Sequence, residues 1–219
     1  MIIEFVGLPG SGKSSIVRLI AARNPDIRTV IVTKARWTDV VRRPLATARH
    51  LAAWGSLWWE WSEKQALVSL LRRRIRQDSF VEDPGSLVIL EEGMTYHVWR
   101  DTVMFPALRD EPWEPLIRGE HPLIALGADD GTLHARIKGK ARRGRVNEYL
   151  ASLSISGPAW RRAADLYEDI LAEAARHRPL LRIDTSGGLE DAADRVWNAI
   201  RIYDPEAGRF RRGVADEAY

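Results

Sequence analysis

The sequence contains no cysteine in its 219 residues. Disulfide bonds, thiolate metal sites and cysteine nucleophiles are therefore excluded, and the composition agrees with a reducing compartment, so we expect a cytoplasmic protein. No run of residues approaches the roughly 20 apolar positions that a membrane-spanning helix needs. The apolar run at residues 2–6 is also too short for the core of a signal peptide, and we expect no membrane partner.

Neither sign of charge dominates the chain. It has 33 basic and 30 acidic residues and a formal net charge of +3, so the composition does not require a nucleic-acid partner and we expect none. The five histidines show no spacing typical of metal ligands. Hydrophobic residues make up 45% of the sequence, which is enough for the core of a single α/β domain.

The most informative motif lies near the N-terminus, where residues 7–14 read Gly-Leu-Pro-Gly-Ser-Gly-Lys-Ser. It follows a predicted strand at residues 2–6 and leads into residues 13–22, where apolar side chains recur at helical spacing. Glycine lets backbone N–H groups approach a phosphate closely, and the helix N-terminus adds its positive dipole end. The motif therefore predicts a nucleoside triphosphate site built from Gly7, Gly10, Ser11, Gly12, Lys13, Ser14 and Ser15.

Two residues of this loop have predicted chemical roles. Lys13 is expected to reach the β- and γ-phosphate oxygens, and the hydroxyl of Ser14 is expected to bind Mg²⁺. ATP and Mg²⁺ are accordingly the expected cofactors. The structural alternative is a glycine-rich turn that leads into an ordinary helix.

The order of elements predicts an α/β fold with a five-stranded parallel sheet flanked by helices. The predicted strands are residues 2–6, 28–33, 86–90, 122–126 and 180–183. The predicted helices are residues 13–22, 95–109, 132–143, 159–177 and 189–202, and a long helical crossover occupies residues 36–77. Residues 204–219 form a polar tail that we expect to be loose.

An acidic pair, Glu91 and Glu92, follows the apolar run at residues 86–90. A carboxylate at the end of a buried strand suits Mg²⁺ beside a phosphate loop, and it equally suits a general base that accepts the proton of an attacking hydroxyl. We predict that Glu91 takes one of these roles and Glu92 the other. A solvated turn is the alternative.

Basic residues cluster after the fourth predicted strand. Six of them fall within ten positions, namely Arg136, Lys138, Lys140, Arg142, Arg143 and Arg145. Arginines on a segment that closes over the site would stabilise the charge that spreads over a phosphoryl group during transfer. Arg143 and Arg145 flank Gly144 and are the predicted catalytic pair, while a solvated helix face or a nucleic-acid patch remains the alternative.

Aromatic residues are concentrated in the long crossover, which holds Trp37, Trp54, Trp58, Trp59 and Trp61. Trp37 follows a strand end and Arg42 could recognise an anionic group, so both are candidates for binding an acceptor. Tyr96 and Arg100, which follow the acidic pair, are candidates for the same pocket. The helical stripe of tryptophans equally suits core packing, a protein partner or a second copy of the chain, which makes a homodimer an alternative.

These motifs resemble those of the P-loop small-molecule kinases, the group that contains thymidylate kinase and the deoxynucleoside kinases. The resemblance covers residues 1–202 and rests on the loop at residues 7–14, on Leu87-Val-Ile-Leu-Glu-Glu-Gly93, on the basic run with Glu148, and on Leu181-Arg-Ile-Asp-Thr-Ser186. It implies a P-loop NTPase fold in which residues 1–203 form one kinase domain. It further implies an acceptor-binding region at residues 34–83 and a basic lid at residues 136–157.

The resemblance also implies roles for single residues. Arg136 and Arg142 would contact the nucleotide from the lid, and Asp184 and Thr185 would lie near the adenine. One motif departs from the family, because thymidylate kinases have Asp-Arg and deoxynucleoside kinases have Glu-Arg-Ser where this chain has Glu91-Glu92-Gly93. The arginine that usually reads the acceptor is therefore absent there, and a divergent kinase for another small molecule is indicated.

The sequence thus predicts an ATP-dependent kinase whose acceptor is a small molecule with a hydroxyl, such as a nucleoside-like compound, or a monophosphate. The acidic pair favours the hydroxyl. The alternative is a nucleotide-dependent regulatory ATPase, or switch, that binds a protein partner through its tryptophan-rich helix.

Overall fold

The computed structural model describes residues 1–31, 69–70, 72–74, 77, 87–110, 114–119, 121–141, 157–204 and 209–210. Several predictions fall outside the described residues. They concern Trp37, Arg42, Arg142, Arg143 and Arg145, the tryptophan stripe, most of the acceptor-binding region at 34–83, the lid beyond residue 141, and most of the tail.

Five parallel strands form the central sheet. They are β1 (Ile2–Val6), β2 (Arg28–Ile31), β3 (Val88–Glu92), β4 (Leu123–Gly127) and β5 (Leu180–Asp184). Their order is β2-β3-β1-β4-β5, so β1 lies at the centre between β3 and β4. The predicted five-stranded parallel sheet is confirmed. Because β1 and β3 are parallel neighbours, the loop after β1 and the acidic end of β3 lie at the same edge of the sheet.

Helices cover both faces of the sheet. They are α1 (Lys13–Arg23), α2 (Met94–Met104), α3 (Glu114–Ile117), α4 (Asp130–Ala141), α5 (Pro158–Ala175) and α6 (Leu189–Ile202), with a 3₁₀ turn at Pro106–Asp110. One core joins α1 and α6 to one face of the sheet, and a second core joins α2, α3 and α5 to the other. Successive strand residues alternate between the two cores, with Phe5 in the first and Val6 in the second.

Several details differ from the predictions, most of them by one or two residues. The helix predicted to reach residue 109 ends at Met104, because Pro106 lacks an N–H and disfavours the helical conformation at Phe105, which has φ −129° and ψ 86°. β3 continues through Glu92 because that residue still pairs with Ile31 of β2. The tail begins with an antiparallel pair, β6 (Tyr203–Asp204) and β7 (Arg209–Phe210), where the sequence predicted a loose segment.

A search of the described residues for a helix of sufficient length and hydropathy to cross a bilayer finds none.

Candidate phosphate-binding and acceptor site

The loop between β1 and α1 has the backbone geometry that the glycines predict. Gly10 and Gly12 both have φ of 91°, in the left-handed region that glycine adopts without a steric penalty. A Cβ atom at Gly7 would overlap the side chain of Ser11 and the carbonyl oxygen of Leu126. The chain can therefore make this tight turn only with glycine at these positions.

The loop leads directly into the N-terminus of α1. Gly12 is the N-cap residue and provides no side-chain cap, so the helix end offers its backbone N–H groups and dipole towards the loop. The buried hydroxyl of Ser11 has no hydrogen-bond partner among the described residues. A concave loop with uncapped amides and an unsatisfied hydroxyl fits a phosphate group.

Lys13 is folded against this loop. Its Nζ donates to the carbonyl oxygen of Gly7 and lies 3.5 Å from that of Leu8. The same ammonium group stands 5.0 Å from the centroid of the Tyr96 ring, which contributes the negative face of its π system. The predicted phosphate ligand and the predicted acceptor ligand are thus in direct contact.

The acidic pair occupies the last two positions of β3, one strand away from the loop. Val30 pairs with Leu90 and Ile31 with Glu92, so Glu91 is the extra residue at a shift in register. Such bulges re-aim a side chain and are frequent beside active sites. Glu91 and Glu92 are half-buried, and neither carboxylate accepts a hydrogen bond from, or forms an ion pair with, another described residue.

Oxygen ligands suited to Mg²⁺ therefore meet at one edge of the sheet. The Ser14 hydroxyl lies in the first turn of α1, and the carboxylate of Glu91 belongs to the neighbouring strand end. Hard divalent cations prefer such ligands. The described residues contain no group of three or more His, Asp or Glu side chains placed to hold a metal ion.

On the side predicted to hold the acceptor, α2 places Tyr96 and Arg100 one turn apart on the same face. The side chain of Arg100 turns to Asp101, and its Nε donates to Oδ1 at 2.8 Å. Arg73, on the described part of the region at residues 34–83 that is predicted to bind the acceptor, donates to Oδ2 of the same carboxylate at 2.9 Å. Asp101 therefore pairs with two guanidinium groups. Burial lowers the pKa of Arg73, while the Asp101 carboxylate opposes that shift.

On the side expected to hold the donor base, Arg136 of α4 bridges two loops. Its guanidinium donates to the carbonyl oxygen of Thr185 at 2.6 Å, to the hydroxyl of Thr185 at 3.0 Å and to the carbonyl oxygen of Gly10 at 3.4 Å. Thr185 is fully buried, and its N–H donates to Gly127 at 2.7 Å. The backbone N–H and carbonyl groups of Thr185 are thus engaged within the protein, and its contact with a base stays a prediction.

Asp184 and Asp129 shape the same loops. The backbone N–H and hydroxyl of Ser186 donate to Asp184 and lower the pKa of that carboxyl group. Asp129 caps α4, because its carboxylate accepts from the backbone N–H of Thr132 at 2.9 Å and from the Thr132 hydroxyl at 2.6 Å. These bonds, the hydroxyl bond first, lower the pKa of Asp129 to about 2.

Sequence reasoning missed a buried polar group beneath the site. Glu4 of β1 and Arg178 form an ion pair of 2.8 Å between side chains that are both 0% exposed. Glu4 also accepts from the backbone N–H of Thr95 at 2.8 Å, and Gln77 accepts from that of Met94 at 3.0 Å. Both bonds satisfy donors in the first turn of α2 and so fix the helix that carries Tyr96. The only sequence signal was a charge within an apolar strand.

The fold is shared with known kinases. The chain is similar to the structure of deoxyadenosine kinase from M. mycoides with bound dATP, with a TM-score of 0.58, 16% identity and coverage of 92% of this chain and 100% of that chain. The same enzyme with bound dCTP gives a TM-score of 0.54 at 16% identity, and with the products dCMP and a flexible dCDP it gives 0.56 at 15% identity. In each comparison 92% of this chain and 99% of that chain are covered.

No protein-family model matches the chain, and no curated protein matches its sequence. The structural similarity confirms the predicted P-loop NTPase fold and the resemblance to P-loop deoxynucleoside kinases at the level of fold. At 15–16% identity these structures show the fold of the chain and no more. The activity and the substrate have to be inferred from the residues of the site, because a fold alone does not determine them.

Proposed function

We propose that this chain is a P-loop kinase that transfers the γ-phosphoryl group of ATP to a hydroxyl group of a small, nucleoside-like acceptor. The observation that supports it most is the placement of the half-buried Glu91 and Glu92, at the end of the strand next to the Lys13 loop. A hydroxyl acceptor needs a nearby carboxylate to take its proton, and a phosphate loop supplies the donor. The similar structures are those of an enzyme named as a deoxyadenosine kinase, which agrees with a nucleoside-like acceptor.

The same carboxylates argue against a monophosphate acceptor. An anionic acceptor would need free guanidinium groups and would be repelled by Glu91 and Glu92. Among the described residues, Arg73 interacts electrostatically with Glu92, and both Arg73 and Arg100 already pair with Asp101. The charge balance of the site therefore favours an acceptor without a phosphate.

The proposal assigns a role to each residue of the site. The amides around Gly12 and the ammonium of Lys13 bind and orient the phosphates, which brings the donor into line with the acceptor. Ser14 and one carboxylate of the acidic pair would hold Mg²⁺, which supplies charge neutralisation on the phosphates. Glu91 or Glu92, whichever does not hold the metal, accepts the proton of the acceptor hydroxyl. Arg136, Arg142, Arg143 and Arg145 of the basic segment would close over the phosphoryl group and exclude water.

The proposal is tested by ATP turnover measured with and without a panel of nucleosides, nucleotides, sugars and amino alcohols. We expect slow hydrolysis alone and a marked acceleration with one class of hydroxyl acceptor, with a phosphorylated product detected by mass spectrometry. Acceleration by nucleoside monophosphates only would indicate that the acceptor group is a phosphate and not a hydroxyl. ATP turnover that no small molecule accelerates would contradict the proposed kinase activity and favour the alternative of a regulatory ATPase.

A further inference from the structure

The contact between Lys13 and Tyr96 joins the donor side of the site to the acceptor side. Tyr96 lies in the first turn of α2, whereas Lys13 begins α1, and the two residues are 83 positions apart along the chain. The ammonium group stands 5.0 Å from the ring centroid and bonds on the loop side to the carbonyl oxygens of Gly7 and Leu8. Lys13 is thus held between its own loop and an aromatic face.

We infer that Tyr96 is a positioning residue for Lys13, whose ring face keeps the ammonium group in place over the phosphate loop. This inference deepens the proposed function and rests on it in one respect, the binding of a nucleoside triphosphate by the loop. An aromatic face attracts a cation electrostatically without forming a competing ion pair. A carboxylate in the same place would instead neutralise the charge that the phosphates need.

The surroundings of Tyr96 fix the ring. Its side chain belongs to the buried core and packs against the rings of Trp99 and His97, at centroid distances of 5.7 Å and 5.8 Å. Trp99 is itself anchored, because its indole N–H donates to the carbonyl oxygen of Ala163 at 2.7 Å. A ring held in this way gives the lysine a fixed surface rather than a mobile one.

The phenol also stays neutral. Burial, followed by the nearby Glu92 carboxylate, raises the pKa of Tyr96 to about 12. Tyr96 therefore remains a phenol at neutral pH, and its ring presents the usual quadrupole to Lys13.

The test is calorimetric titration of the full-length protein with Mg·ATP. The variants are Tyr96→Phe, which keeps the ring, Tyr96→Leu, which removes it, and phenylalanines with one, two and three ring fluorines at position 96. Fluorination weakens the negative face while the shape is retained, so that the series reports on the ring electrostatics even where Tyr96→Leu unfolds the protein. Each variant is also made with Lys13→Ala, which completes a double-mutant cycle.

We expect Tyr96→Phe to bind Mg·ATP within about twofold of the unmodified protein and Tyr96→Leu about tenfold more weakly. Affinity should fall stepwise along the fluorine series, and these differences should vanish in the Lys13→Ala background. A flat fluorine series, or equal losses with and without Lys13, would overturn the role of Tyr96. An unmodified protein that binds no Mg·ATP would instead overturn the proposed function, so the two failures are distinguishable.

Discussion

At the scale of single residues, Glu91 and Glu92 differ from the third carboxylate near the middle of the sheet. The Glu4 carboxylate is fully buried and bonded to Arg178 and Thr95, whereas the carboxylates of Glu91 and Glu92 are half-buried and have no hydrogen bond to another described residue. A buried carboxylate with fixed partners stabilises the fold, and an unengaged one beside a phosphate loop is available for chemistry. We therefore expect substitutions of the acidic pair to affect catalysis and loss of the Glu4 ion pair to affect stability.

Replacing Glu91 by Gln should lower kcat by about 10²- to 10⁴-fold if the carboxylate takes the proton of the acceptor. Steady-state kinetics across a range of Mg²⁺ concentrations separates the two predicted roles. A kcat that excess Mg²⁺ does not restore indicates the base, and a kcat that it does restore indicates a metal ligand. Unchanged kcat in both Glu91→Gln and Glu92→Gln would exclude the acidic pair from the reaction.

Replacing Arg178 by Met should destabilise the protein by about 3–5 kcal/mol, because it leaves the carboxylate of Glu4 buried without its partner. Arg182→Met is a matched control, since Arg182 forms an exposed ion pair with Glu168 at 2.7 Å and exposed pairs contribute about 0–1 kcal/mol. The free energy of unfolding from urea titrations compares the two. Equal losses of unfolding free energy in the two variants would show that the buried Glu4–Arg178 pair stabilises the protein no more than the exposed pair does.

At the scale of elements, the turn from β3 into α2 is packed against β1. A Cβ atom at Gly93 would overlap the carboxyl group of Glu4, whereas one at Gly187 would meet no atom within 4 Å. Gly93→Ala should therefore cost about 1–3 kcal/mol of stability and weaken Mg·ATP binding, because the shift would disturb the helix that carries Tyr96. Gly187→Ala should change neither.

Thermal unfolding and nucleotide titration of these two variants check the prediction. If Gly93→Ala matched Gly187→Ala in both measurements, the turn would have more room than the structure shows.

The N-terminus of α4 should respond to pH through Asp129. Its folded-state pKa of about 2 lies below the usual value of 3.8, so its contribution to stability is present above that usual value and is lost as the pH falls through 2. Asp129→Asn should therefore have a lower melting temperature than the unmodified protein at pH 7, and the difference should shrink as the pH falls from 4 to 2. A difference that is constant with pH would assign the effect to packing instead.

At the scale of the whole molecule, much of the fold is readable from the sequence because it depends on local patterns. Continuous apolar runs predicted the five strands, and helical periodicity predicted α1 and α6 to within a residue. The glycine-rich loop was predictable for the same reason, since its glycines, lysine and serine are contiguous. The strand order was not, because pairing between parallel strands leaves no local signature.

The long-range contacts of the site could not be predicted from the sequence either. Glu4 and Arg178 are 174 positions apart, and the two guanidinium groups on Asp101 come from different helical segments. Tyr96 was predicted to bind the acceptor, yet its contact with Lys13 depends on the packing of α2 against the loop. Charge and periodicity identify candidate residues, and only tertiary packing decides which of them meet.

The central claim is that the loop at Gly7–Ser14 binds the phosphates of a nucleoside triphosphate, and calorimetric titration of the full-length protein with Mg·ATP tests it most directly. The account predicts a one-to-one binding isotherm for the unmodified protein. It also predicts at least a tenfold weaker Kd for Lys13→Ala, with an unchanged melting temperature, because a charge-assisted contact with phosphate is lost. Absence of binding heat for the unmodified protein with any purine triphosphate, or equal affinity in Lys13→Ala, would contradict it.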